Sequence, residues 1–236
     1  MEKINSINLL SNLECEKTSS IVYSLKESWI HRHAFAPYYT LGAASYLDAK
    51  KNSHNYYDLA ELNNLILIKS LDWFYQKLVK TLEIYLQAPV KLTNAKALPG
   101  FHIYLGFKLF ELSVAPVHYD LQYNLLDWNE IEQIDFNNPV SFTLPIALPK
   151  KGSGLNLWDI TLTGRDALQT NENKQELGKQ IIKKKTFHPY RLGEMIIHSG
   201  LTAHQAIIGD DLKEGEDRIT LQGHALFSQG SWQLYW

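Results

Sequence analysis

Two textures divide the chain. From residue 4 to about 29, and again from 57 to about 86, apolar side chains recur at three- and four-residue spacing, the signature of a helix with one buried face. The stretch LAELNNLILIKSLDWFYQKLVKTLEIYL fits an amphipathic helix, with Asp58 placed to cap its start. Between the two lies HRHAFAPYYTLGAASYLDAKKNSHNYY, aromatic and irregular, with turn formers near its end. Beyond Pro99 the pattern changes to short β-type runs: FHIYLGFKLFELSV, VSFTLPIAL, GLNLWDITL, EMIIHS, HQAIIG and RITLQGHALF. Pro139, Pro145, Pro149, Gly152, Gly154, Gly164, Gly193 and Gly200 punctuate them.

Many short strands after a helical start predict a mostly β fold with N-terminal helices (α+β): a β-sandwich or jelly roll braced by helices. No internal repeat and no linker rich in Pro, Gly or Ser marks a boundary, so a single domain is expected. Residues 1–98 would form its helical support, and 99–236 its jelly-roll core. The polar stretch GRDALQTNENKQELGKQIIKKKTFHPY looks like a loop inserted at about 164–190, with its KKK as a solvated surface run.

Bulk properties narrow the function. The 236 residues are 45% hydrophobic and 20% charged, an ordinary globular composition. A formal net charge of −2 lacks the basic excess of a dedicated nucleic-acid binder. The N-terminal MEKINSINLLSNLECEK has no signal-peptide pattern, and the apolar runs fall far short of the roughly 20 residues that span a bilayer. The lone cysteine, Cys15, rules out an internal disulfide and a thiolate-rich zinc site, leaving it a helix-packing role. The expectation is a cytoplasmic protein with no membrane or nucleic-acid partner.

One short stretch carries chemistry. In VAPVHYDLQ, His118 and Asp120 stand two residues apart, straight after an apolar run. Side chains at i and i+2 of a strand point to one face, so both can reach one point in space. An imidazole and a carboxylate are two thirds of the facial triad that holds non-haem Fe(II) and leaves coordination positions open. The third ligand would be a histidine brought back by the sheet, and His198, His204 and His224 are the candidates. Taking EMIIHS as a strand, GLTA as a turn and HQAIIG as the returning strand favours His204, where the fold reverses. Arg218 and Thr220 follow in DRITL, again two apart on one face. A guanidinium is a planar fork that grips a carboxylate bidentately, and a neighbouring hydroxyl adds one more bond. The region thus holds what a site needs to bind iron and anchor a dicarboxylate beside it.

The ordered set, His-Tyr-Asp at 118–120, then His204, then Arg-Ile-Thr at 218–220, resembles the Fe(II)/2-oxoglutarate-dependent dioxygenase superfamily. The resemblance covers about residues 100–227, and the helical N-terminal part carries no signature of it. It implies a double-stranded β-helix (jelly-roll) core. It also implies His118, Asp120 and His204 as iron ligands, with Arg218 and Thr220 on the distal carboxylate of 2-oxoglutarate. Fe(II), 2-oxoglutarate and O2 would be the cofactor and cosubstrates, and succinate and carbon dioxide would be released. Related halogenases have a small residue where Asp120 stands, so the carboxylate here favours hydroxylation of an unactivated carbon. A small-molecule substrate is expected, such as an amino acid or a biosynthetic intermediate. A peptide or protein side chain is the alternative, as is a cupin-like metal or ligand-binding module without turnover. A nucleic-acid demethylase is disfavoured, because no basic, aromatic-lined face is visible.

Weaker candidates surround the motif. His102, Tyr104 and Lys108 alternate just upstream with a parity that turns them inward, making Tyr104 and Lys108 possible cosubstrate or substrate contacts. Asn124, four residues after Asp120, is another. His31, His33, His54, His102, His188 and His224 lack a comparable spacing, so ordinary roles are expected for them. Trp128 and Trp158 either floor a pocket or pack a sandwich core, and packing is the larger expectation.

Overall fold

The computed structural model describes residues 4–50, 53–93, 95–106, 116–162, 185–209 and 214–236. Its long helix, α3 (Ser53–Leu86), buries Tyr56, Ala60, Leu67, Leu71, Phe74, Leu78 and Leu82 at helical spacing. That stripe already includes Tyr56, so the helix begins upstream of Asp58, which is an exposed interior residue rather than the expected cap. Leu71 interrupts the helical dihedrals (φ −131°, ψ 25°), and α3 kinks there.

The first apolar stretch corrects the helical expectation in a different way. Helix α1 spans only Asn12–Ser24, because Ser11 caps it: its hydroxyl accepts from Glu14 N, and the Glu14 carboxylate accepts from Ser11 N. Residues before that cap form strand β1 (Ile4–Asn8), paired antiparallel with β9 (Glu194–Ser199). The aromatic segment read as irregular supplies β2 (Ile30–His33), β3 (Ala36–Leu41) and a short helix, α2 (Ser45–Asp48). Arg32 grips the Asp48 carboxylate with two bonds of 2.6 and 2.8 Å and so ties α2 to β2.

Among the described residues nine strands form one sheet, in the order β1, β9, β6 (Ile134–Ala147), β11 (Arg218–Ser228), β5 (Gly100–Tyr104), β3, β2, with β12 (Ser231–Tyr235) and β4 (Val90–Leu92) continuing from β11. Three more, β10 (Thr202–Ile207), β7 (Gly154–Thr161) and β8 (Lys185–Pro189), form a second sheet. This is the mostly β jelly roll braced by helices that the strand pattern predicts. Strand β8 occupies the end of the stretch expected as an inserted loop, and residues 164–184 of that stretch lie outside the described residues. Among the described residues no helix is long and apolar enough to cross a membrane.

Alternation gives the large sheet two unlike faces. Ile219, Leu221 and Ala225 of β11, Phe101 and Ile103 of β5, and Phe142 and Leu144 of β6 pack with the stripe of α3 and with Cys15 and Val22 of α1. The residues between them face the other way: Arg218, Thr220 and His224; His102 and Tyr104; Ser141 and Thr143. Register sets Arg218 opposite Tyr104, Thr220 opposite His102, and His224 opposite Ser141. The second sheet closes over this polar face, anchored where Leu155 and Leu157 of β7 and Tyr190 pack with Ile196 of β9.

Candidate metal centre

His118 and Asp120 lie in an extended segment rather than a regular strand. His118 makes one isolated bridge with His204 of β10, each N donating to the other's O at 3.0 Å. Asp120 N then donates to Gly200 O at 2.8 Å. A Cβ on Gly200 would stand 3.1 Å from Ser141 Oγ, 3.2 Å from the Asp120 carbonyl oxygen and 3.3 Å from its Cβ, so a larger residue in the turn before β10 would have to push these neighbours aside. The turn carries His204 away from β9 and into the second sheet, where β10 pairs with β7.

These contacts bring three donor groups together. His204 Nε2 is 3.3 Å from Asp120 Oδ2, His118 Nε2 is 3.6 Å from Asp120 Oδ1, and the ligand atoms of all three lie within 4.8 Å of one another. Two ligands about 2.1 Å from an ion and at right angles to each other stand about 3 Å apart, so the spacing suits a single cation. The tautomers suit it as well. His118 Nδ1 lies 2.8 Å from Pro116 O and His204 Nδ1 lies 2.8 Å from Thr202 O. A carbonyl only accepts, so each Nδ1 carries the hydrogen and each Nε2 is turned toward the carboxylate. Lone pairs facing a carboxylate are satisfied only by a proton or a metal cation among them.

The electrostatics express the same demand. Burial would raise the Asp120 carboxyl, but His204, His224 and His118 together hold it well below the usual carboxylate range. Burial disfavours charge on His204, yet Asp120 beside it pulls the imidazole up. Burial and the His204 charge push His118 down.

The other two histidine candidates are engaged elsewhere. His198 Nδ1 donates to Ser199 O at 3.0 Å, its ring packs 4.5 Å from that of His204, and burial lowers its pKa to about 3. His224 Nδ1 lies 3.0 Å from Ser141 Oγ and 3.9 Å from Asp120 Oδ2. Gln122, which carries the alternation of HYD two residues further, donates from Nε2 to Asp120 Oδ1 at 3.0 Å. Sequence reasoning missed it, although its i+2 position was a signal.

Arg218 is only 1% exposed. Its Nε donates to Ser153 Oγ at 3.2 Å, and its guanidinium lies 5.5 Å from the ring centres of both Tyr104 and Tyr190. Among the described residues no carboxylate pairs with it, and Nη2 is buried without a partner. The Thr220 hydroxyl, two residues along the same face, is buried and equally unpartnered. Two orphaned donors side by side at a desolvated cation are what a carboxylate ligand would satisfy. Ser153 and Tyr190 carry no local sequence signal for this role, because only the packing of the second sheet brings them to Arg218.

Tyr104 is on the inner face, stacked on Tyr38 at 4.4 Å. The Tyr38 hydroxyl meets that of Tyr46 at 2.9 Å, and Tyr46 OH meets His102 Nε2 at 2.6 Å. Burial and the nearby Arg218 drive the His102 pKa well down, so this ring is neutral. Asn124 is exposed on the short 3-10 turn Gln122–Leu125, and Lys108 lies outside the described residues. Trp128 packs with Tyr123, Tyr235 and Trp236 under a Lys96 ammonium 4.4 Å from its ring, and Trp158 packs with Ala203; both serve as core.

No protein-family model matches the chain, and no curated protein matches it in sequence. Solved structures do match in fold. An N-substituted L-amino acid dioxygenase from Burkholderia ambifaria AMMD superposes with a TM-score of 0.59 at 15% identity, covering 99% of this chain and 86% of that one. The same enzyme is also known in complex with α-ketoglutarate. The non-haem α-ketoglutarate-dependent epimerase SnoN of nogalamycin biosynthesis superposes with a TM-score of 0.53 at 13% identity, covering 94% of this chain and 78% of that one. A second SnoN structure, with Fe3+, α-ketoglutarate and nogalamycin RO, gives 0.51 at 14% identity, covering 96% and 79%. What the chain shares with these proteins is their fold, a jelly roll of two sheets braced by helices.

Proposed function

We propose that this chain is an Fe(II)- and 2-oxoglutarate-dependent oxygenase, a hydroxylase of a small molecule such as an amino acid or a biosynthetic intermediate. The observation that carries the reading is the joint one: a His-Asp-His cluster of cation-ready donors, with a buried, unpaired Arg218 and Thr220 on the same inner face. His118, Asp120 and His204 would hold the metal, and Arg218 with Thr220 the distal carboxylate of 2-oxoglutarate. Iron so held would supply, with 2-oxoglutarate and O2, the oxidising power, with succinate and carbon dioxide as co-products.

The chain's own residues do the positioning. Pro116 and Thr202 carbonyls fix the two imidazole rings, and Gln122 holds one oxygen of Asp120. Ser153 and the rings of Tyr104 and Tyr190 hold the guanidinium, so a carboxylate meets a fork already aimed. The two sheets keep Asp120, His204, Arg218 and Thr220 nearly free of solvent, which strengthens every charge interaction among them. Because a carboxylate stands at position 120, the third protein ligand is present and halide has no vacated place, which favours oxygenation over halogenation. Small-molecule chemistry is supported by the structural neighbours, an N-substituted L-amino acid dioxygenase and an epimerase of nogalamycin biosynthesis. The lone buried Cys15 suits a reducing cytoplasm, where we place the protein.

The test is anaerobic titration with Fe(II) and then 2-oxoglutarate, followed by succinate release screened across amino acids, peptides and metabolites. Metal-dependent binding of 2-oxoglutarate with substrate-coupled succinate is expected. Binding of metal and ligand with no succinate from any substrate would favour the cupin-like module instead.

A further inference from the structure

Helix α3 has an outer face that the fold does not use. Leu62 and Leu65 are 63% and 69% exposed and Ile68 is 36% exposed, three aliphatic side chains at three-residue spacing on the side away from the buried stripe. Leu65 and Ile68 of this patch line a groove of about 630 Å3 beside α3, together with Leu92 of β4 and with Leu98, and Leu62 flanks it one helical turn before Leu65. Exposed aliphatic side chains grouped on one helix face and rimmed by polar residues are the kind of surface that serves as a contact site.

The charges around the patch identify the occupant. Glu61 and Lys69 also line the groove, four residues before and four after Leu65. Among the described residues neither makes an ion pair. The pattern is its own complement: Glu61 and Lys69 are equidistant from Leu65, as are Leu62 and Ile68. A face with opposite charges placed symmetrically about an apolar centre fits a second copy of itself turned through 180°, because a two-fold contact places each residue of a symmetric pair against the other.

We infer that two copies of this chain pack α3 against α3 about a two-fold axis near Leu65. Glu61, Leu65 and Lys69 form an i±4 ridge, and ridges of that kind interdigitate at a crossing angle of about −50°. With the ridges antiparallel, Glu61 of one copy meets Lys69 of the other twice, while Leu62, Leu65 and Ile68 close the centre over Leu92 and Leu98. The crossing also resolves the like charges further out. Asp58 and Asp72 lie seven residues to either side of Leu65, where helices crossing at that angle have separated laterally by roughly 9 Å.

The experiment is sedimentation velocity of the full chain over a concentration series, with circular dichroism to check that each variant is folded. The wild type should show a reversible monomer–dimer equilibrium, and Leu65→Asp should be monomeric throughout. Glu61→Lys alone and Lys69→Glu alone should each raise the dimer Kd by about tenfold or more, since symmetry places like charges opposite each other twice. The double variant Glu61→Lys/Lys69→Glu should return the Kd to within about threefold of wild type, because swapped pairs attract again. A wild type that is monomeric at every concentration would overturn the inference. So would a dimer indifferent to Leu65→Asp, or a double variant no tighter than the single ones.

Discussion

On β11, Ile219, Leu221 and Ala225 face the helices, while Arg218, Thr220 and His224 face the second sheet. The two sets are neighbours in sequence and are about equally buried, yet they do opposite work. The helix side is closed: its apolar groups fill one continuous cluster with α1 and α3, which is where burial stabilises the fold. The inner side is open in the sense of bonding. Arg218 Nη2, Thr220 Oγ1, Tyr190 OH and Gln122 Oε1 are buried without partners, and Asp120 lies among three imidazoles. Unsatisfied polar groups of this kind each cost stability, so this face holds free energy that a metal and an anionic ligand would recover. One sheet therefore separates what holds the molecule together from what it binds.

Substitutions on the two faces should separate in the same way. The largest effect is expected from Asp120→Ala, which should remove Fe(II)-dependent succinate formation by more than about 100-fold, since groups that merely support metal ligands cost about 10–100-fold. Anaerobic Fe(II) binding, read beside turnover, checks it, and full activity in this variant would mean that the inner face does not work through the carboxylate at 120.

The mirror experiment is Leu221→Ala. Urea unfolding should show a loss of about 2–5 kcal/mol, as for a large-to-small change in a packed core. The affinity of the folded variant for Fe(II) and 2-oxoglutarate should match that of the wild type. A large drop in affinity there would show that the two faces are coupled.

Arg218→Ala comes next, with a loss of about 1.5–3 kcal/mol in 2-oxoglutarate binding, the value of hydrogen bonds to a charged group. Arg218→Lys should recover only part of it, because a point charge does not reproduce the fork. Anaerobic calorimetric titration of both variants checks this, and unchanged affinity in the alanine variant would remove Arg218 from the site.

The smallest effect lies far from the site. The Lys77 ammonium and the Ser11 amide hold the Glu14 carboxyl at about 2, below the ordinary 4.5 of a glutamate. A depressed carboxylate contributes stability above its unfolded pKa and loses it as pH falls toward the folded value. The wild type should therefore lose a small increment between about pH 4.5 and pH 2, which Glu14→Gln should lack. Thermal midpoints of the two proteins across that window read the difference, and equal slopes would show that the charge on Glu14 contributes nothing to stability.

Much of this was legible in the chain, because much of it is local. Alternation along RITLQGHALF places Arg218 and Thr220 on one face and Ile219 and Leu221 on the other, a consequence of strand geometry that needs no partner. The same local logic joins His118 to Asp120, and helical spacing marks most of α3. What only the tertiary structure decided are matters of pairing. Ile4–Asn8 is a strand because β9 has an edge for it to pair with, and because the Ser11 cap delays the helix; spacing alone suggested a helix. His198, His204 and His224 were not separable by neighbours in sequence. They differ because the turn at Gly200 swings His204 into the second sheet beside Asp120, while His198 and His224 stay on the first, bonded to Ser199 and Ser141. Ser153 and Tyr190 reach Arg218 across the gap between sheets, from segments far apart in sequence. Periodicity records which way a side chain points relative to its neighbours. Which groups it meets depends on long-range closure of the chain, and that is set by the packing of the whole fold.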